Sequence, residues 1–309
     1  MSKTDLWCTR GASLCPGKHD QMSDKKILIV AEALLERLGA PDWVAVDCRF
    51  DLADPDAGRA MYEQEHLPGA VFLDLDLDLA APVAADTGRH PLPDVDAMVA
   101  RLEGLGLGNE YNIVVYDSNN GALAARAWWI LRWLGHDAVH LLDGGMDRWR
   151  ALGYELESGA VTRPTAEFQA EPRRELVLTT SDLTADLDRI PALNLLDARD
   201  ATRFRGEHEP IDPVAGHIPG AGNAPFADFV HADGTWKDIG ERRRLLLEAL
   251  GGEEAAHWAV MCGSGVTACH LAISAIEAGL PEPRVYVGSW SEWIRDPARP
   301  IGLGDADLA

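Results

Sequence analysis

His66-Leu67-Pro68-Gly69-Ala70 returns 151 residues later as His217-Ile218-Pro219-Gly220-Ala221. The echo has company on both sides. Val46-Asp47-Cys48-Arg49 answers Leu196-Asp197-Ala198-Arg199 at an offset of 150, and Asp117 answers Cys262 at 145. Asp143-Gly144-Gly145-Met146-Asp147-Arg148-Trp149 answers Val287-Gly288-Ser289-Trp290-Ser291-Glu292-Trp293 at 144. Matches that keep their order and drift by a few residues describe one fold written twice, because chance likeness of apolar stretches would not stay in register.

Each copy alternates short apolar strands with helices. The first reads as strands at Trp43–Val46, Ile113–Tyr116 and Val139–Leu142, with a helix over Ala122–Leu134 ended by Gly135. The second reads as strands at Leu193–Leu196, Trp258–Met261 and Val285–Val287, with a helix from Val266 to Ala278 closed by Gly279. The class is therefore α/β, with two tandem domains, each a mainly parallel sheet flanked by helices. The expected domains are residues 23–157 and 175–302. Residues 158–174 mix Gly, Pro and charge without periodicity and read as the linker.

A chain of 309 residues suits two domains at ~100–200 residues each. No apolar run approaches the ~20 residues that cross a bilayer. Fifty acidic against 28 basic side chains give a formal charge of -22, which repels phosphate backbones and anionic headgroups. The expectation is accordingly no nucleic acid and no membrane. Cys8, Cys15, Cys48, Cys262 and Cys269 are odd in number and form no CxxC pair, so neither a disulfide framework nor a structural zinc site is expected. The N-terminal stretch has neither a secretory core nor the Arg-rich pattern of a transit peptide, and residues up to about 22 read as an irregular arm. A cytoplasmic protein with reduced thiols is the expectation.

Ligands of an open parallel sheet sit outside the carboxyl ends of its strands. Cys262 stands there: it follows the apolar strand His257-Trp258-Ala259-Val260-Met261 and opens the turn Gly263-Ser264-Gly265-Val266-Thr267 into a helix. The glycines let backbone N–H groups curl toward the sulfur, and the helix N-terminus adds partial positive charge, a setting that favours thiolate. A core cysteine would lie inside a strand or on a helix's apolar stripe, as Cys269 does. The first copy has Asp117 at the equivalent point, so the second copy alone carries a nucleophile. Arg199 and Asp47 belong to pairs present in both copies and read as fold-fixing ion pairs. Leu73–Leu79 alternates at period two and reads as an extended segment with one solvated acidic face. Trp128, Trp129, Trp133 and Trp149 read as packing residues.

The duplication, the Gly216–Ala221 segment, the Leu141–Trp149 segment and above all the loop from Cys262 to Ala268 resemble the two-domain rhodanese-type sulfurtransferases. Within that family the loop is similar to that of 3-mercaptopyruvate sulfurtransferases. Thiosulfate sulfurtransferases typically carry two cations straight after the cysteine, where this chain has Gly263 and Ser264. The resemblance implies that Cys262 takes a sulfane sulfur from 3-mercaptopyruvate as a persulfide, releases pyruvate and passes the sulfur to a thiol such as thioredoxin or to cyanide. No metal or organic cofactor is implied. It assigns Arg203 to the donor carboxylate, places Gly263, Gly265, Val266 and Thr267 around the donor, and joins Ser264 to Asp76 and His90 in a proton relay. The family's second substrate arginine has no counterpart before Gly216, where the chain reads Glu209-Pro210-Ile211-Asp212-Pro213. Arg205 and Arg126 are the candidates to share the anion.

Charge at the loop leans the same way, because a compact dianion such as thiosulfate calls for cations beside the nucleophile. A thiosulfate sulfurtransferase on the same scaffold stays open as the alternative, and a non-catalytic sulfur carrier or interaction module as a more distant one. Phosphatase chemistry of the cysteine-loop kind wants an arginine after five intervening residues, and that position is Ala268.

Overall fold

The computed structural model describes residues 26–185, 193–252 and 254–305. The N-terminal arm with Cys8 and Cys15 lies outside them. In the first half the order is β1 (Leu28–Ile29), α1 (Ala31–Leu35), β2 (Trp43–Asp47), α2 (Ala57–Gln64), β3 (Val71–Phe72) and α3 (Val95–Gly104). It continues with β4 (Asn112–Tyr116), α4 (Ala124–Trp133), β5 (Val139–Leu142) and α5 (Gly145–Ala151). The second half runs β6 (Val177–Leu178), α6 (Thr180–Thr184), β7 (Leu195–Asp197), α7 (Ala201–Phe204) and β8 (Gly222–Asn223). It closes with α8 (Ile239–Ala249), β9 (Ala259–Met261), α9 (Ala268–Glu277), β10 (Arg284–Tyr286) and α10 (Ser289–Trp293).

Two five-stranded parallel sheets result, ordered β1-β5-β4-β2-β3 and β6-β10-β9-β7-β8. Strand for strand the two orders are the same, which is the structural meaning of the repeated motifs. Residues 158–173 hold neither helix nor strand, and their backbone is tied to the first half, with Gly159 N–H on the Glu63 carbonyl and Glu171 N–H on that of Leu134, each at 2.8 Å.

The repeated segments are fold-fixing. In both copies Pro-Gly forms the centre of a tight turn, closed by Ala70 N–H on Leu67 O and by Ala221 N–H on Ile218 O, each at 3.0 Å. Gly69 and Gly220 take the positive φ (68° and 82°) that a type II turn demands after proline. The histidine ahead of each turn stacks on an aromatic ring, His66 on Tyr62 and His217 on Phe204. Each aspartate at the end of the second strand of its half is buried against the arginine two residues on: Asp47 with Arg49 at 2.6 Å and Asp197 with Arg199 at 2.7 Å. The arginines then reach a carbonyl on the connection that follows, Glu65 O and Gly216 O. These pairs close the loop onto the sheet, as their recurrence suggested.

The helices that follow Asp117 and Cys262, α4 and α9, pack against each other. Every residue of α4 except Arg132 is buried, as is α9 from Ala268 to Ala275. A helix apolar on all sides belongs inside a protein, and here it belongs between two sheets. One core cluster runs from Val115 and Trp129 in the first half to Val260 and Ile273 in the second. All four helical tryptophans singled out above are buried.

Two expectations fail. The strand expected from Leu193 begins at Leu195, because Asn194 adopts φ 51° and turns the chain just before it. Leu73–Leu79 is not extended. Asp74 is buried and its carboxylate accepts the N–H groups of Asp76 (2.9 Å) and Leu77 (3.0 Å), while Asp78 pairs with Arg101 at 2.8 Å. Local side-chain-to-backbone bonding outcompetes strand pairing, and the segment curls into turns. Asp76 and Leu77, neighbours at the tip of the turn, meet solvent, so the exposed side is not a purely acidic face.

Arg199→Met leaves Asp197 charged, buried and unpaired, and is expected to lower stability by about 3–5 kcal/mol. The exposed Arg205–Glu207 pair is the control: Arg205→Met should leave the urea midpoint unchanged. Equal midpoints for both variants would remove the buried pair from the fold's support.

Candidate active site

Cys262 leaves β9 into the loop that leads to α9 and is 2% exposed. Its Sγ accepts the N–H of Gly265 at 3.1 Å, a single donor where a curl of several was expected. The helix begins at Ala268, so Val266 and Thr267 belong to the loop, with Val266 buried and Thr267 half-buried. Gly265 holds φ +77°, and a Cβ there would lie 2.5 Å from the Val287 carbonyl; the position admits no side chain.

The first copy shows what this loop is built to surround. Asp117 fills it with its own carboxylate, which accepts the N–H groups of Asn119, Gly121, Leu123 and Ala124 at 2.9–3.2 Å. Burial pushes the Asp117 pKa up, and those four donors pull against it. The first copy's cradle is thus satisfied from within.

Ser264 Oγ lies 2.7 Å from His90 Nδ1, and His90 Nε2 lies 3.1 Å from Asp76 Oδ1. The structure therefore brings together Cys262, Ser264, His90 and Asp76, three of which sequence reasoning had drawn from far apart in the chain. Burial, followed by the charges of Arg126 and Arg89, lowers the His90 pKa to about 3. The ring is neutral at working pH, so its link to Asp76 is a hydrogen bond and not an ion pair. Its partners set the tautomer: Nε2–H donates to the carboxylate and Nδ1 accepts from the serine hydroxyl. Burial and the neighbouring Asp74 raise the Asp76 pKa.

His90 belongs to a strap, residues 87–91, that the first half lays across the second. Arg295 Nε donates to Thr87 O at 3.0 Å, and Arg89 N–H to Ser291 Oγ at 3.0 Å. Gly88 has no room for a Cβ, which would meet Gly288 O at 2.6 Å. Beneath the strap, Arg126 of α4 is fully buried and donates to Gly265 O (3.1 Å), His90 O (3.1 Å) and Leu79 O (3.4 Å). Arg126 is thereby removed as an anion ligand: its guanidinium holds backbone carbonyls away from solvent. Arg205 is removed as well, since it pairs with exposed Glu207. Arg203 is near the loop, bonded to Glu209 at 2.9 Å and to Asp212 at 3.2 Å.

Ser289, Ser291 and Arg89 escaped the sequence reading. Ser289 is buried at φ 52°, donates to Tyr286 O at 2.8 Å and accepts the Cys262 N–H at 3.1 Å. The signal for it was available: the repeat places it opposite Gly145, a glycine at φ 54°. A serine kept in a conformation that suits glycine marks a constrained site. Arg89 and Ser291 had no such signal.

The family model described as "Rhodanese-like domain" matches residues 30–152 and again 179–296. A Pseudomonas aeruginosa protein named a probable 3-mercaptopyruvate sulfurtransferase is 48% identical over 90% of this chain and 98% of its own. SseB of Mycobacterium tuberculosis, provisionally named a thiosulfate sulfurtransferase, is 39% identical over 91% of this chain and 98% of its own. The solved structure of 3-mercaptopyruvate sulfurtransferase from Leishmania major superposes with a TM-score of 0.76 at 30% identity, covering 87% of this chain and 74% of that one. The chain belongs to the rhodanese-like family, with two copies of its domain. It is an enzyme of the sulfurtransferase class, with one cysteine loop and one loop filled by aspartate.

His90 and His270 both have pKa values lowered to about 3 from 6.5, each chiefly by burial. Below pH 6.5 the unfolded chain takes up protons that the folded chain refuses, so stability should fall as pH drops toward 3. The slope is about 1.4 kcal/mol per pH unit per histidine at most. Urea titrations at pH 7 and pH 5 measure it, and His270→Phe should remove roughly half of these two rings' share. An unchanged slope in that variant would show that His270 protonates freely in the folded protein.

Proposed function

We propose that the protein moves a sulfane sulfur from 3-mercaptopyruvate, through a persulfide on Cys262, to a thiol such as thioredoxin or to cyanide, and releases pyruvate. Cys262 Sγ attacks the donor sulfur as a thiolate. The new S–S bond forms as the donor's C–S bond breaks, and that bond's electron pair stays on the pyruvate fragment as its enolate. The enolate becomes pyruvate by taking the proton that the donor thiol brought. Cyanide then takes the outer sulfur as thiocyanate and returns the Cys262 thiolate.

The observation that carries this reading is the Ser264–His90–Asp76 chain beside the cysteine loop. An enolate leaving group needs a proton delivered, whereas sulfite leaves as a stable anion and needs positive charge instead. Ser264 and neutral His90 can pass the donor's proton along and back, with Asp76 holding the ring. The names of the Pseudomonas aeruginosa and Leishmania major relatives support the same donor. SseB's name favours thiosulfate, the second reading. Among the described residues no helix is long and apolar enough to cross a membrane, and Cys48, Cys262 and Cys269 are free thiols, which fits the reducing cytoplasm.

The donors are separated by catalytic efficiency measured with cyanide as common acceptor. Mercaptopyruvate should exceed thiosulfate by at least about tenfold, or roughly 1.4 kcal/mol of transition-state stabilisation. The reverse order would transfer the assignment to thiosulfate and leave the fold untouched.

The nucleophile is tested separately. Cys262→Ser should abolish turnover with either donor, because a serine hydroxyl forms no persulfide. Cys269→Ser should keep most activity: the Cys269 thiol is buried and its pKa is pushed up to about 12 by burial. Mass spectrometry after donor treatment should find one extra sulfur, about 32 Da, on the Cys262 peptide. Sulfur on another cysteine would displace Cys262 from its role.

A further inference from the structure

A donor carboxylate needs positive charge in excess of the resident carboxylates, and Arg203 alone falls short of that. It lies between two carboxylates, with Nε and Nη2 on Glu209 and Nη2 also on Asp212. The same Asp212 is shared. Its Oδ2 accepts from Arg203 at 3.2 Å, while its Oδ1 accepts from Arg89 Nη1, a side chain that arrives on the strap from the first half. Asp212 is the partner that fixes Arg89. Arg89 Nε is buried with no hydrogen-bond partner among the described residues, and Nη2 faces the cysteine loop.

Gly263 marks where the two cations meet. A Cβ there would lie 2.8 Å from Arg89 Nη2, 3.5 Å from Arg203 Nη2 and 3.7 Å from Asp212 Oδ2. Both guanidiniums therefore converge beside the residue next to the nucleophile, one from each half of the chain, with a carboxylate bridging them. The small residue at 263 is what leaves Arg89 its place. A side chain there would push the guanidinium out, which gives this glycine a reason apart from backbone conformation.

We propose that Arg89 is a substrate-binding and specificity-determining residue: with Arg203 it forms a two-arginine clamp for the carboxylate of a thiol-bearing α-keto acid. Asp212 serves as the resident counter-ion that holds the pair apart and aimed at the loop. Arg89 supplies from the first half the second cation missing before Gly216. Of the two guanidiniums Arg89 is the less neutralised, so it contributes the larger share of the attraction. Its backbone is held independently, through its N–H on Ser291, and its side chain is about a quarter exposed (27%), so the guanidinium can be removed without dismantling the strap. Donor binding would then bridge the two halves through the substrate itself.

The inference rests on the mercaptopyruvate reading and is tested with the whole chain. Arg89→Ala should lower kcat/KM for 3-mercaptopyruvate on the order of 30-fold, mainly through KM. It should weaken competitive inhibition by pyruvate to a similar degree. Arg89→Lys should recover part of both, since an ammonium keeps the charge and loses the planar fork. Gly263→Ala, which displaces the guanidinium, should shift pyruvate inhibition in the same direction. Mercaptoacetone, which has the ketone and thiol without the carboxylate, should react equally well with wild type and Arg89→Ala. A folded Arg89→Ala variant with unchanged KM and pyruvate inhibition overturns the proposal. So does a loss that is equal for mercaptopyruvate and mercaptoacetone, which would place Arg89 in support of the loop. If the wild type itself turns over thiosulfate and ignores mercaptopyruvate and pyruvate, the functional reading fails first, and that result is visible before any variant is made.

Discussion

Arg126 is a guanidinium with no exposure to solvent, and the architecture of the site hangs on it. It projects from α4 in the first half and donates to the carbonyl of Gly265 in the cysteine loop, and also to the carbonyls of Leu79, His90 and Pro91 around the strap. Burying a cation costs several kcal/mol unless its donors are matched; Nη1 and Nη2 find these four carbonyls while Nε has no hydrogen-bond partner among the described residues, so the carbonyls from the two halves cannot drift independently. Burial pulls the Arg126 pKa down, while the nearby sulfurs of Cys269 and Cys262 pull it back up. A fixed positive charge thus sits beneath the cysteine loop, and the same group ties the strap that carries His90 to that loop. The apolar faces of α4 and α9 supply the driving force for docking the halves, and Arg126 supplies the register.

The duplication explains why such a site could be shared out. Both copies keep the parts that close the fold: the buried Asp–Arg pair, the stacked histidine, the Pro-Gly turn and the strand order. Where the copies differ, they differ at the loops. Asp117 fills its cradle with four backbone donors and leaves nothing for a ligand, while Cys262 accepts one donor and leaves the rest of the loop available. Gly145 becomes Ser289, which retains the glycine-like backbone and gains a hydroxyl against the Cys262 amide. The first copy, with Asp117 where the second has Cys262, contributes to the other copy's loop instead. It provides His90, Asp76 and Arg126 to its partner's loop, together with Arg89 at the loop's edge.

The electrostatics follow from the same burial. An overall charge of -22 gives the surface a field that repels small anions, so an anionic donor must find local positive charge at the site. Arg89, Arg126 and Arg203 gather around one loop, yet each is held by a carboxylate or by carbonyls before any ligand arrives. Burial first, and then the charges of Arg126 and Arg89, depress His90 and keep its ring neutral.

How much of this was legible in the sequence depends on range. The repeat, the sheet class, the place of Cys262 after an apolar strand and the fold-fixing Asp–Arg pairs are matters of local pattern and of like matched with like, and a linear reading recovers them. The resemblance also carried Ser264, His90 and Asp76, although Ser264 and His90 stand 174 positions apart and nothing between them says that they touch. The Leu73–Leu79 alternation misled because local hydrogen bonds from Asp74 override the period that a strand would show. Arg126 looked like a free cation and is the most committed one in the site. Arg89 looked like nothing at all, because a side chain that crosses to the other half of the chain leaves no trace in the spacing around it. Sequence alone determined the two folds and singled out the sulfur of Cys262, since each depends on neighbours within one strand, turn or helix. Which charges surround that sulfur was decided by the docking of α4 on α9, because the cations come from both halves and burial settles which of them stay bound to carbonyls and which face the loop.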